Sequence, residues 1–378
     1  MNVLFCIDHL RGDGTQRVLC HLTAGMIERG HRTTILCLND SWDSSVIEQL
    51  RRSGASIRVM GKPGLVGGYG LASALRWMRR QNFDVAVTML FWSDVIGRVL
   101  ARKAGIPHLV SSIRARNISY APWQLLLVRA TMPLADVVVV NSRRIAAFAV
   151  AGEGARPESL VYIPNGVDAA LYTQPVSRAA LRAELGLGAD AVLIGSVGRL
   201  THQKGFDVLL QALARPGLEA VHLLLAGAGE ELERLHVLAR SLGISQRAHF
   251  AGYRRDVPQW LGALDLYVHP SRFEGTPNIL LEAMAAACPI VATNIDGNSE
   301  VLTDGRHGWL VPHDHPVALA DAIRAALADP PEARRRGQAA QERVRQYFSL
   351  PRMVEAWERV LQPAEQTMRI SEHGFFCR

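Results

Sequence analysis

The residues of this chain best suited to chemistry gather in two short loops. The first is Phe273-Glu274-Gly275-Thr276-Pro277-Asn278-Ile279-Leu280-Leu281-Glu282-Ala283-Met284, which follows the apolar run Leu266-Tyr267-Val268-His269. Thr276 suits an N-cap and Pro277 the first helical position, so a helix with unbonded backbone N–H groups is expected to start at the carboxyl end of a strand. Such a terminus attracts phosphate. Glu274 precedes it in the loop and Glu282 falls on the second turn, so two carboxylates flank the anion site. Carboxylates accept hydrogen bonds from hydroxyls, which suits a molecule with sugar hydroxyls on both sides of a phosphate. Taken alone, the loop reads better as a capped helix with two surface acids.

The second loop shifts that balance. Gly198-Arg199-Leu200-Thr201-His202-Gln203-Lys204-Gly205 follows another apolar run, 192–197, and would carry two cations to the same sheet edge. Lysine is scarce here: Lys62, Lys103 and Lys204 are the only three among 42 basic residues. A compact ammonium meets a phosphate differently from the planar fork of arginine, which gives position 204 a chemical reason to keep it.

Loops of this kind need strands to hold them. The 378 residues exceed one compact domain and suit two, and a composition of 48% hydrophobic and 20% charged residues supplies packed cores while excluding disorder and fibrous repeats. Runs rich in Val, Ile and Leu near 2–8, 32–38, 55–60, 84–90, 107–112, 136–140 and 159–163 alternate with segments of helical period, such as 15–29 before Gly30. The alternation restarts at 191–197 and continues through 223–226, 249–250, 266–269, 289–292 and 309–311. An α/β fold of two doubly wound parallel-sheet domains follows, 1–170 and 171–348, with a crevice between them. Their seam is expected in the turn-rich stretch 164–175, before a helix at 178–185. A helix within 349–362, with Met353, Val354, Trp357, Val360 and Leu361 at helical spacing, is expected to pack back on the first domain. Residues 363–378 form a tail without a clear pattern.

Several function classes drop out. No 18 residues are uninterruptedly apolar, the stretch 122–140 being broken by Arg129 and Asp136, and no basic segment precedes the run 3–7, so a cytoplasmic chain without signal peptide or membrane span is expected. Cys6, Cys20, Cys37, Cys288 and Cys377 are odd in number and scattered, which argues against a disulfide framework or a zinc site. The net charge of +7 arises wholly in the first 175 residues, where 20 Lys and Arg oppose 12 Asp and Glu. No nucleic-acid-binding signature accompanies that charge, so the expected partners are an anionic membrane surface or an anionic acceptor, not nucleic acid.

Together these stretches resemble family 4 of the nucleotide-sugar glycosyltransferases, retaining enzymes with two Rossmann-like domains facing a central cleft (GT-B). The resemblance rests on Gly198-Arg199-Leu200 with Lys204-Gly205, on 273–284 with its two glutamates eight residues apart, on Ile163-Pro164-Asn165-Gly166-Val167-Asp168, and on a degraded glycine loop, Gly12-Asp13-Gly14-Thr15-Gln16-Arg17. It spans residues 1 to about 361. It implies that Arg199 and Lys204 hold the donor diphosphate and stabilise charge on the departing phosphate. It further implies that Glu282 binds the ribose, that Glu274 binds the donor sugar while facing its anomeric carbon, that N–H groups near Asn278 and Ile279 cap the diphosphate, and that Gly275 belongs to the donor-binding set. Tyr253, between Gly252 and Arg254, would lie along the base, and Gly14 would close over the donor. No metal or other cofactor is implied, because fixed cations and a helix terminus take that role. Retention would proceed by front-face attack, the leaving phosphate accepting the acceptor's proton.

The chain departs from the family pattern in two places. Asp13 and Gln16 intrude in the glycine loop. Where many members carry a histidine after the fifth strand, this chain has 110–117, which would put Arg114 against the donor sugar or an acceptor phosphate. Other candidates are weaker. Gly227-Ala228-Gly229 resembles a dinucleotide fingerprint, but its third glycine position is Leu232, so a turn near the diphosphate or a helix cap fits better than NAD. His108, His202 and His269 lie near strand ends and are read as structural. Arg76, Arg79 and Arg80 near Tyr69 and Trp77, and Trp123 with Arg129, suit either a lipid headgroup layer or, more simply, a core-facing stripe with a solvated rim. The expected activity is transfer of a hexose or N-acetylhexosamine from a UDP-sugar to a lipid-linked glycan in surface polysaccharide or lipopolysaccharide assembly. A sugar-nucleotide epimerase and a nucleotide-sugar-binding subunit without turnover are the alternatives.

Overall fold

Every expected apolar run becomes a parallel strand. The computed structural model describes residues 1–60, 69–114, 120–172 and 176–362. Lys62, residues 115–117, the 173–175 end of the expected seam, the side chain of Tyr69 and the tail with Cys377 lie outside the described residues. The chain forms two compact units. The first comprises Met1–Asn165 and the C-terminal helix Leu350–Leu361; the second is Gly166–Ser349.

In the first unit, β1 (Asn2–Ile7), β2 (Arg32–Cys37), β3 (Ser56–Val59), β4 (Val85–Met89), β5 (His108–Ile113), β6 (Val137–Val140) and β7 (Leu160–Tyr162) make one parallel sheet in the order β3-β2-β1-β4-β5-β6-β7. Every residue of β1, β4 and β5 is buried, which is why these strands show no in-out alternation; β1 and β4 are mostly apolar, while β5 also buries His108, Ser111 and Ser112. One face is covered by the helix Gly14–Glu28 through Val18, Leu19, Leu22 and Met26, and by the C-terminal helix through Met353, Val354, Trp357, Val360 and Leu361. Trp357 is completely buried. His108 Nε2 lies 2.8 Å from the Val360 carbonyl and His31 Nε2 lies 2.7 Å from Glu358, pinning that helix at two points.

The second unit holds β8 (Val192–Val197), β9 (Val221–Ala226), β10 (Ala248–Gly252), β11 (Leu266–His269), β12 (Ile290–Thr293) and β13 (Trp309–Val311), parallel in the order β10-β9-β8-β11-β12-β13. It begins at Gly166, five residues before the expected boundary, because Val167 N–H donates to the Phe348 carbonyl at 2.9 Å and both Val167 and Tyr172 pack into its core. Arg182, 1% exposed, donates to Asp265 Oδ2 at 2.6 Å and to the Ala191 carbonyl at 2.7 Å. The same Asp265 oxygen accepts Leu193 N–H at 2.7 Å, so one buried ion pair ties the helix Arg178–Glu184 to the starts of β8 and β11.

In each sheet the strand order reverses once, between β1 and β4 in the first unit and between β8 and β11 in the second. Ligands of doubly wound sheets bind outside the strand carboxyl ends at such a reversal. In the second unit these ends carry the two loops singled out by sequence. No helix among the described residues is long and apolar enough to cross a membrane.

Candidate functional site

The loop after β8 runs through Arg199 and a short 3-10 turn, His202–Lys204, to Gly205 and the helix Phe206–Leu213. The loop after β11 runs through Ser271 and Glu274 to the helix Asn278–Ala285. They are bonded to each other along their length. Arg272 N–H donates to the Gln203 carbonyl at 2.8 Å, Arg272 Nη1 to the His202 carbonyl at 2.6 Å, and Gln203 Nε2 to the Phe273 carbonyl at 2.9 Å. Arg272 also grips Asp207 with two bonds of 2.9 Å, fixing the start of the next helix. Gly205 allows this approach: its φ is +64°, and a Cβ there would sit 2.2 Å from the Pro270 carbonyl oxygen.

At the junction, the Lys204 ammonium is ion-paired with Glu274 Oε1, their side chains 17% and 10% exposed. Sequence assigned these charges to different parts of a ligand; in the structure they are partners. Ser271 Oγ donates to the same oxygen at 2.9 Å, and His269 Nε2 lies 3.7 Å from it. Burial alone would raise the Glu274 carboxyl, but Lys204 and then His269 hold it below the usual carboxylate range. Burial, opposed by Glu274 and reinforced by Lys204, pushes His269 down to about 4, so its imidazole is neutral at pH 7. Tyr267, fully buried in β11, feels both acids: burial first, then Glu282 and Glu274, push its phenol well above the ordinary value. The two glutamates thus share one neighbourhood at the end of β11.

The helix after this loop starts one residue later than expected. Pro277 is its N-cap, not its first residue, because its ψ of 114° is extended; its carbonyl accepts Leu280 N–H at 3.1 Å, and Thr276 lies outside the helix. Asn278 and Ile279 are therefore the first helical residues, with N–H groups that the helix itself cannot bond. Glu282 is buried on the second turn, 8% exposed, and Gly275 lies in the loop before it. Arg199 is exposed beside Gly198.

Tyr253 follows the edge strand β10 and is 58% exposed, two strands from β8. Backbone links span the gap: Gly227 N–H donates to the Gly252 carbonyl at 2.7 Å, and a Cβ on Gly227 would lie 1.8 Å from the Gly198 oxygen. The glycines of 227–229 are thus explained by close packing on the Arg199 loop, without a dinucleotide. Arg254 pairs with Glu184 and Asp256.

In the first unit, Gly14 opens the helix Gly14–Glu28 with Asp13 at its N-cap. The intruding Gln16 is fully buried and turns back, Nε2 donating to the His9 carbonyl at 3.0 Å, so it fastens the helix start to the end of β1. Arg114 stands at the end of β5 and donates from Nη2 to Asn165 Oδ1. Trp77 packs edge-on against Phe83 and Arg79 donates to the Lys103 carbonyl at 3.0 Å, while Arg76, Arg79 and Arg80 are exposed. Arg129 Nε donates to the Gly152 carbonyl at 2.7 Å.

Ser271 and Gln203 were not among the sequence candidates for this site, and His269 was weighed there only as a structural residue. Ser271 carried a legible signal, sitting three residues before Glu274 in the same loop; Gln203 and His269 show their place only once the loops meet.

Residues 177–343 match the family described as Glycosyl transferases group 1, and residues 12–171 match Glycosyltransferase Family 4. The chain is 29% identical to the lipopolysaccharide core biosynthesis glycosyltransferase LpsE of Rhizobium meliloti, over 92% of this chain and 95% of that protein. It is 30% identical to the lipopolysaccharide core biosynthesis mannosyltransferase LpcC of Rhizobium leguminosarum bv. viciae, over 74% of this chain and 76% of that protein. Its fold matches the crystal structure of Anabaena Alr3699/HepE in complex with UDP and glucose with a TM-score of 0.85 and 24% identity, covering 96% of this chain and 99% of that one.

Proposed function

Because the chain belongs to glycosyltransferase family 4, whose members are retaining GT-B enzymes, we propose that it moves a hexose or N-acetylhexosamine from a UDP-sugar to a lipid-linked glycan in surface polysaccharide or lipopolysaccharide assembly. The reading rests on one observation, the convergence of Lys204 and Glu274 at the β8/β11 reversal, beside the helix that starts at Asn278. Lys204 and Arg199 hold the diphosphate, with the N–H groups at Gly275, Asn278 and Ile279 capping it; Glu282 takes the ribose and Tyr253 lies along the base. Glu274 takes the sugar hydroxyls and steadies charge at the anomeric carbon as the phosphate leaves and accepts the acceptor's proton. The UDP bound by HepE supports the choice of base, and the names of LpsE and LpcC support the assembly and favour transfer over epimerisation.

Calorimetric titration with UDP, GDP, ADP and NAD tests this. UDP is expected to bind best, and Lys204→Ala and Glu282→Ala should each weaken it at least about tenfold, the worth of one charged hydrogen bond. Preference for NAD, or unchanged UDP affinity in both variants, would overturn the reading.

The membrane contact we propose has its own support. The helix Pro122–Thr131 exposes Trp123, Leu126 and Leu127, and the Trp92 ring, also exposed, stands 6.3 Å from that of Trp123. This apolar patch lies in the half of the chain that carries the positive charge, a combination that suits an anionic bilayer surface. Flotation with phosphatidylglycerol vesicles should recover the protein, and Trp123→Ser combined with Leu126→Ser should abolish recovery while leaving UDP affinity intact. Undiminished recovery of the double variant would refute the contact.

A further inference from the structure

Among the described residues, the two fully buried arginines, Arg98 and Arg182, have carboxylate partners, whereas the partly buried Arg114 does not. Arg98, fully buried, lies 3.1 Å from Asp94 and donates to Ser111 Oγ at 2.6 Å. Arg182 has Asp265. Arg114 has neither arrangement: its Nη2 is held by the neutral Asn165 side chain, its Nη1 is buried without an acceptor, and among the described residues no carboxylate forms an ion pair with it. Burial alone, with no opposing charge, pushes its guanidinium down to about 10. A desolvated cation without an anion is costly to keep, and the bond this one makes, to Asn165, is to a neutral acceptor.

Its position gives the cost a purpose. Arg114 follows β5 directly, Asn141 follows β6 and Asn165 closes the loop after β7, so the three stand at neighbouring carboxyl ends of one parallel sheet, the edge where such sheets take ligands. Asn141 Nδ2 also donates to Asn165 Oδ1, at 3.5 Å, so the asparagine that orients the guanidinium is itself oriented. Arg114 is partly buried as a residue, so part of its side chain meets solvent while Nη1 itself is enclosed.

We propose that Arg114, oriented by Asn165, is an anion-recognition residue of the first unit that binds a phosphate group of the acceptor. The proposal rests on the glycosyl-transfer reading above and adds to it the acceptor's chemical class, a phosphorylated one. A guanidinium presents paired N–H donors to a tetrahedral oxyanion, which a histidine at this place could not. A neutral acceptor would leave the cation unpaid in its bound state as well.

Inorganic phosphate is the probe, titrated into the full chain with and without saturating UDP and followed by phosphorus NMR line broadening. In the presence of UDP, wild type is expected to bind one further phosphate. Arg114→Gln should weaken that binding at least tenfold, Arg114→Lys by less, and both should leave UDP affinity unchanged. Glu282→Ala should lose UDP while keeping the Arg114-dependent phosphate, so failure of the donor reading and failure of this proposal give different results. No further phosphate in wild type, or equal binding by both Arg114 variants and wild type, would overturn the proposal. A tenfold loss of UDP affinity in Arg114→Gln would also overturn it, by assigning the residue to the donor's diphosphate. Thermal melts check folding, and Arg114→Lys retains the charge if the glutamine variant does not fold.

Discussion

Glu274→Ala should lower turnover by about 10²- to 10³-fold, the usual cost of removing one preorganised electrostatic group from a reaction centre, while UDP affinity is kept or improved. The second half of that expectation follows from the ion pair. Lys204 is bonded to Glu274, so a phosphate that recruits the ammonium must compete with the carboxylate. Deleting the carboxylate removes the competitor and leaves a partly buried cation for the diphosphate alone. Glu274→Gln separates the two roles, since the amide still accepts the Ser271 hydroxyl bond but carries no charge. The rate of UDP release from UDP-glucose and UDP-N-acetylglucosamine, read beside UDP calorimetry, measures both halves. Turnover within threefold of wild type would remove Glu274 from the reaction, and loss of UDP binding would make it a donor ligand only. The pair also bears on stability. The Glu274 carboxyl sits below its unfolded value, so its contribution is complete above an unfolded pKa of about 4.3 and is lost as pH falls through the lower folded value. The stability difference between wild type and Glu274→Ala should therefore shrink on acidification.

Gly205→Ala should destabilise the second unit by about 2–6 kcal/mol. The left-handed backbone accounts for about 1–3 kcal/mol of this, and forcing a methyl against fixed backbone for about 1–3 more. Both causes are present: φ is +64° and the added carbon would meet the Pro270 oxygen at 2.2 Å. Gly243→Ala is the matched control, with φ at +70° but nothing within 4 Å of the added carbon, so it bears the conformational cost alone. Urea unfolding of the two variants isolates the clash. Equal losses would mean that the Pro270 loop yields freely and that the two loops are not a rigid pair. If the clash is real, the displaced loop also moves Lys204, and activity should fall by about 100-fold, the penalty of an ångström's misplacement.

The strands were legible because strands buried on both faces are rich in Val, Leu and Ile; β1, β4 and β5 could be read almost to the residue even though β5 buries His108, Ser111 and Ser112. The helix after β11 was legible from Pro277 and the paired glutamates. Its start was misjudged by one residue because a proline ring fixes φ and says nothing about ψ, and ψ decides whether Pro277 is cap or first turn. The pairing of Lys204 with Glu274 was not legible, since residues 70 apart meet only when β8 and β11 become neighbours across the strand reversal. Asn165 and Arg114, 51 residues apart, likewise meet only once β5, β6 and β7 stand side by side in one sheet. Gln16 stood out as a departure from a family pattern, yet its buried bond to the His9 carbonyl needed the turn after β1 to be in place.

The C-terminal helix Leu350–Leu361 completes a core whose strands were all specified before residue 166. During synthesis the ribosome therefore delivers the whole of Gly166–Ser349 before it delivers Trp357. The second unit, continuous in the chain, can finish folding while the first still lacks the side chains that close the face beside Val18 and Met26. A nascent chain halted before Leu350 would present that open apolar face to chaperones, and premature termination there would damage the half of the protein whose own strands are already complete.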